Sequence, residues 1–104
     1  MAIEHDVTVG RLPAVVEATA YFVVAEALTN VAKHAHARHA KVTARARDGT
    51  LHVRVRDDGV GGAQPDGSGL RGLGDRLALL DGRLRIHSPP AGGTLVTAAI
   101  PIAG

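Results

Sequence analysis

The chain has 104 residues, enough for one domain with a single two-layer core. Hydrophobic residues make up 45% of it, yet Tyr21 and Phe22 are its only aromatics, so the core must be built from Val, Leu, Ala and Ile, and a base-stacking platform is excluded. A net charge of +2 is too small to argue for a nucleic-acid groove, the absence of cysteine excludes disulfides and thiolate chemistry, and no apolar run reaches the roughly 18 residues of a membrane span.

In chain order, Val7-Thr8-Val9 alternates as an edge strand would, and Gly10 to Pro13 breaks the chain before a helix. Ala14 to Ala35 reads as one long helix, with Tyr21, Val24, Leu28, Val31 and Ala35 as its packing seam. Glu26, Asn30 and Lys33 stack one turn apart on a different face. Val42, Ala44 and Ala46 then alternate with Lys41, Thr43, Arg45 and Arg47. Asp48-Gly49 signals a hairpin, and Leu51, Val53 and Val55 alternate with His52, Arg54 and Arg56 on the way back. The arginines of both strands fall on one face, expected to be a solvated outer surface. A glycine-rich loop follows Asp58, and Leu70, Leu73, Leu77 and Leu80 mark a second helix ending near Asp81-Gly82. Arg83 to His87 and Thr94 to Ile100 close the chain as two more strands. This order predicts a two-layer α/β sandwich, a mixed and mostly antiparallel sheet with helices on one face, in one domain over residues 1–104.

Chemistry-bearing residues gather at element ends. Asp57-Asp58-Gly59-Val60-Gly61 terminates a strand, and seven glycines fall between Gly59 and Gly74. The Asn30 amide oxygen suits Mg²⁺, which takes few protein ligands besides phosphates and water. Lys33 supplies a point charge for phosphate, and the Asp57 carboxylate can accept from an exocyclic amine such as that of adenine. Glycines before the second helix free N–H groups at its positive end, where phosphates sit well.

Glu26-Ala27-Leu28-Thr29-Asn30-Val31-Ala32-Lys33-His34-Ala35 resembles the N box of the Bergerat-fold ATPases, which include gyrase, heat-shock chaperones, mismatch-repair ATPases and sensor histidine kinases. Asp57 to Gly61 resembles their first glycine box, Gly67 to Arg76 the second and Gly92-Gly93-Thr94 the third. The Glu-Ala-Leu-Thr-Asn wording and the short lid are most similar to histidine kinases that partner NarL-type response regulators. The resemblance implies that Asn30 chelates Mg²⁺ and that Lys33 and His34 lie by the phosphates. It further implies that Asp57 binds the adenine amine, with Gly59 and Gly61 shaping that pocket and Thr94 supporting it. Gly69, Leu70, Gly72 and Leu73 would close over the phosphates. Glu26 matches the water-activating glutamate of hydrolytic members, which with Lys33 makes the candidate catalytic pair. Two positions depart from the pattern: Asp58 stands where asparagine is commoner, and Gly74-Asp75-Arg76 replaces Arg-Glu-Arg.

The implied function is to bind ATP·Mg²⁺ and give the γ-phosphate to a histidine on a dimerising hairpin, for onward transfer to a response regulator. Glu4-His5-Asp6 superficially resembles that acceptor motif but lacks the preceding helix, so the chain reads as a catalytic domain alone, monomeric and unable to phosphorylate itself. The triplet His34, His36 and His39 reads as a polar helix terminus and not as a zinc site. Alternative readings are an anti-sigma-factor serine kinase and a non-catalytic nucleotide-sensing module. A cytoplasmic location is expected, with the question of a membrane-bound parent left open.

Overall fold

The computed structural model describes residues 2–32, 37–59, 68–88 and 92–102, with the backbone alone for residues 68–71. The elements follow the expected order: β1 (Ala2–Thr8), α1 (Ala14–Asn30), β2 (His39–Arg47), β3 (Thr50–Asp57), α2 (Ser68–Ala78), β4 (Arg83–His87) and β5 (Thr94–Pro101). The strands form one sheet in the order β1-β2-β3-β5-β4. β1 runs parallel to β2, and all other neighbours are antiparallel. α1 packs on β3 and β5, and α2 packs on α1 and β4, which makes the α/β sandwich the sequence predicts. Among the described residues no helix is long and apolar enough to cross a membrane.

The β2–β3 hairpin turns as its sequence requires. Asp48 and Gly49 both take positive φ, 53° and 74°, the geometry whose twist matches paired strands. Leu51, Val53 and Val55 are buried under the helices while Arg54 and Arg56 are exposed on the other face. α2 ends where Asp81 enters the left-handed region at φ 58°. There the Gly82 N–H donates to the Leu77 carbonyl (2.8 Å) and the Asp81 N–H to the Ala78 carbonyl (3.1 Å), which satisfies the last carbonyls of the helix.

Two expectations need correction. β1 begins at Ala2, five residues before the alternation that marks it in the sequence, and its exposed edge has no buried face to impose a pattern. The parallel ladder with β2 holds it instead, together with a hydrogen bond from the Ala2 N–H to the Arg38 carbonyl (2.8 Å). Glu4, His5 and Asp6 lie in the middle of this strand.

The second correction concerns the seam of α1. Val16, Thr19, Val23, Ala27 and Val31 are the buried line, and Tyr21 is 74% exposed. Tyr21 lies two residues before Val23, about 200° around the helix, so both cannot face the sheet. Small and β-branched side chains won because they let α1 lie close over Val53, Ala98 and Ile100. Thr19 is accepted in that line because its hydroxyl donates to the Val15 carbonyl at 2.7 Å. Regular helix ends at Asn30, and Val31 and Ala32 continue it as a wider π turn; Ala35 lies outside the described residues.

The core divides along the sheet. Val16 and Val23 pack with Leu51, Val53, Leu73, Leu77, Ala98 and Ile100, whereas Ala27 packs with Val42, Val55 and Val96. α1 therefore runs along the sheet with its C-terminal end over the end of β3 that carries Asp57. Truncating the fully buried Leu77 to alanine should cost about 2–5 kcal/mol in chemical denaturation. Tyr21→Ala should stay within about 0.5 kcal/mol, the contrast that separates the observed seam from the one expected.

Candidate functional site

Four residues meet where β3 ends and β5 begins. Asp57 continues the inward parity of Leu51, Val53 and Val55, so its carboxylate turns to the helix side of the sheet and is only 6% exposed. Its Oδ1 accepts a hydrogen bond from the Gly59 N–H at 2.7 Å. Among the described residues no donor reaches Oδ2. Thr94 is the registered partner of Asp57 on β5, and its Oγ1 lies 2.7 Å from the Ser88 Oγ.

Gly93 closes this corner. Its φ is +75°, and a Cβ placed there would lie 2.3 Å from the Asp57 carbonyl oxygen. Any other residue would carry a strained backbone costing about 1–3 kcal/mol and would push β5 off β3. A second wall comes from α1. Glu26 and Asn30, one turn apart, are half-buried on either side of the buried Ala27, which packs on Val55 and Val96 beneath them. This brings the end of α1 over the Asp57 end of the sheet.

Asp58 faces away from this corner. Its Oδ1 accepts from the N–H groups of both Arg38 and His39, each at 2.9 Å, and its Oδ2 pairs with the His39 Nδ1 at 2.9 Å. The Asp58 N–H in turn donates to the His39 carbonyl at 3.2 Å. The departure from asparagine is thus a clasp between the end of β3 and the start of β2. The His39 backbone N–H, then its ring, then the Arg38 N–H hold the Asp58 carboxyl down at about 2 against the outweighed effect of desolvation.

Residues 15–104 match the family described as histidine kinase-, DNA gyrase B- and HSP90-like ATPases. The chain belongs to this family. The signal transduction histidine-protein kinase/phosphatase DegS of Brevibacillus brevis is 38% identical over 96 residues, which cover 88% of this chain and 25% of that one. The oxygen sensor histidine kinase NreB of Staphylococcus carnosus is 36% identical over 92 residues, 84% of this chain and 26% of that one. The chain thus spans about a quarter of the length of these relatives. The histidine kinase domain of the blue-light activated kinase from Erythrobacter litoralis EL346 shares the fold, with a TM-score of 0.83 at 22% identity over 97% of this chain and 51% of that one. The resemblance to sensor histidine kinases of the NarL-partner type holds, and family membership implies ATP binding.

Within this ATPase fold the remaining site residues divide. Gly69 and Leu70 lie in the first turn of α2. Gly72 is exposed, and a Cβ there would meet nothing within 4 Å, so the fold itself does not require glycine at that position. The Leu73 side chain is 3% exposed and belongs to the core with Val16 and Leu77, so only its backbone is left for a ligand. Lys33, His34 and Gly61 lie outside the described residues, as does His36 of the histidine triplet. Ser88 beside Thr94 escaped the sequence reading; Gly93 was named there in the third glycine box without its packing requirement, and His39 in the histidine triplet without its pairing to Asp58.

The clasp carries a pH signature. The folded carboxyl of Asp58 lies below its ordinary value of 3.8, so its contribution is complete above about pH 4 and is lost as pH falls toward 2. The difference in Tm between the parent chain and Asp58→Ala should therefore be constant above that range and narrow below it.

Proposed function

We propose that the domain binds ATP·Mg²⁺ at the Asp57 end of the sheet and donates the γ-phosphate to a histidine on a separate phosphoacceptor hairpin, from which it passes to an aspartate of a response regulator. The observation that carries this reading is Asp57: a buried carboxylate with one oxygen fixed by the Gly59 N–H and the other left to a donor. An exocyclic amine meets that need, whereas a carbonyl at the same place would face a carboxylate with no proton to share. Gly93 and Thr94 form the floor of the adenine end, and Gly59 and Gly61 are the glycines assigned to this pocket.

Asn30 offers a single amide oxygen at a half-buried helix end. That is a fitting donor for a cation completed by phosphate oxygens and water. When bound, Mg²⁺ neutralises charge on the phosphate oxygens. Lys33 and His34 are assigned to the phosphates, and the α2 backbone at Gly69, Leu70, Gly72 and Leu73 closes over them. Transfer to an imidazole nitrogen releases ADP and a proton, and Glu26, on the face of Asn30, is the residue assigned to take it. Positioning and charge neutralisation carry most of the acceleration. The acceptor hairpin and the regulator lie outside these 104 residues, in a cytoplasmic assembly.

Titration calorimetry with a non-hydrolysable ATP analogue tests the pocket. Saturable, Mg²⁺-strengthened binding is expected, and Asp57→Asn should weaken it by about tenfold to a hundredfold, the worth of one hydrogen bond to a charged group. Binding indifferent to Asp57 overturns the reading. Incubation with a supplied acceptor hairpin should then give acid-labile phosphohistidine; acid-stable phosphoserine on a partner protein would move the assignment to a serine kinase.

Gly72 separates a ligand requirement from a folding one. Alanine at a solvent-facing helix position should stabilise the domain by about 0.5–1 kcal/mol. If glycine is there for close approach of phosphate, Gly72→Ala will raise Tm while lowering affinity for the analogue. Gly74→Ala, equally free of neighbours, should raise Tm and leave affinity alone.

A further inference from the structure

The sheet face opposite the helices carries far more charge than the net +2 of the chain suggests. Lys41, Arg45 and Arg47 stand on it from β2, Arg54 and Arg56 from β3, and Arg83 and Arg85 from β4, all exposed. The register spreads them evenly. One cross-strand row reads Lys41, Arg56, Leu95, His87, the next Thr43, Arg54, Thr97, Arg85, and the third Arg45, His52, Ala99, Arg83. The acids of this face are confined to β1, where Asp6 is already held by Arg45 at 3.0 Å. Among the described residues, that is the ion pair of this face.

Lys41 and Arg56 are directly opposed, and like charges in that position destabilise a sheet. Among the described residues Glu4 stands beside Lys41 in the register and Asp6 is held by Arg45, which leaves Arg54, Arg56, Arg83 and Arg85 with no registered acid on this face; an anionic partner would relieve their mutual repulsion. The shape of the face says which one. The cations span about 14 by 20 Å of the sheet, from three strand spacings and six residues of rise. The relief within it is a shallow hollow of about 190 Å³ among Lys41, Thr43, Arg54, Arg56 and Leu95, large enough for a phosphate group. The face has no aromatic side chain for stacking bases and no projecting element for a groove, as a nucleic acid would need. It also lacks the buried aromatic or apolar anchor around which protein interfaces concentrate their energy. A flat, laterally mobile anionic surface demands neither. Most of the cations are arginines, whose forked donors suit phosphodiesters.

We propose that this face is a docking surface for the anionic phospholipid headgroups of a bilayer. Bound this way, the domain lies flat, with α1, α2 and the Asp57 pocket turned away from the lipid. The association is electrostatic and reversible, since Leu95, the large apolar side chain that the register places on this face, is half-buried and lines the hollow, and it does not depend on nucleotide.

Co-sedimentation of the full chain with vesicles tests it. Binding is expected to equimolar phosphatidylcholine and phosphatidylglycerol, absent with phosphatidylcholine alone, and progressively lost as salt rises. The pair Arg54→Glu and Arg85→Glu should lower the partition coefficient by about thirtyfold or more, because each cation near such a surface is worth about fivefold. Arg54→Gln with Arg85→Gln, which keeps the sheet face neutral at those positions, should give a smaller loss, with circular dichroism and Tm reporting the fold of both. Vesicle binding that ignores lipid charge, that survives the charge reversal, or that fails altogether overturns the proposal. So does tighter binding to duplex DNA or to polyglutamate at the same ionic strength.

Discussion

The site depends on the register of β3. This strand lies between β2 and β5, and its inward residues Leu51, Val53 and Val55 are all at most 2% exposed. Because strand side chains alternate, a slip of one residue would expose all three and bury Arg54 and Arg56. The cost of that exchange pins Asp57 to the helix side as the next inward position, where a carboxylate has no packing role. The hydrophobic effect, through a two-residue period, thus turns Asp57, the one buried acid among the described residues, to the helix side of the sheet. The hairpin at Asp48-Gly49 reinforces it, since positive φ at both turn residues fixes the β2–β3 register from the other end.

A second constraint acts through backbone contact. Gly93 lets β5 start against the Asp57 carbonyl, and the Asp58 clasp binds the end of β3 to the start of β2. Asp57 is therefore held by neighbours on both sides that do not touch its own carboxylate. Gly59, the one group that does, fixes a single oxygen. Glycines 93 and 72 share a composition signal and differ in cause. The first is demanded by the chain, which leaves no room for a Cβ; at the second a Cβ would meet nothing within 4 Å among the described residues, so packing there does not require glycine.

The fold was largely legible because its strands have one buried face and sharp turn signals. β4 matches the sequence boundaries, and β5 differs only by including Pro101, since Asp81-Gly82 and the Pro-Gly turn punctuate them. β1 was half missed, because an edge strand exposed on both sides leaves no alternation to read. The seam of α1 is shifted by part of a turn: Val24 and Leu28 of the expected line pack half-buried against the core and Val31 is buried, while Tyr21 is exposed. Only the sheet beneath decides that Val23 goes in and Tyr21 out. At the site, the order of the boxes was readable along the chain, and so was the inward parity of Asp57. The clasp from Asp58 to His39, 19 residues away, was not, because nothing in local spacing says which strand a carboxylate will turn toward.

The same alternation that turns Asp57 to the helix side sends Arg54 and Arg56 to the opposite face, so β3 contributes to both surfaces at once. Arg56 adjoins Asp57 in sequence, yet the pleat sends their side chains to opposite sides of the sheet. A slip of β3 by one residue would therefore disturb both surfaces together, burying the arginines and lifting the carboxylate away from the core. One strand thus holds a buried acid on one side and basic residues on the other because the pleat couples the two faces in geometry.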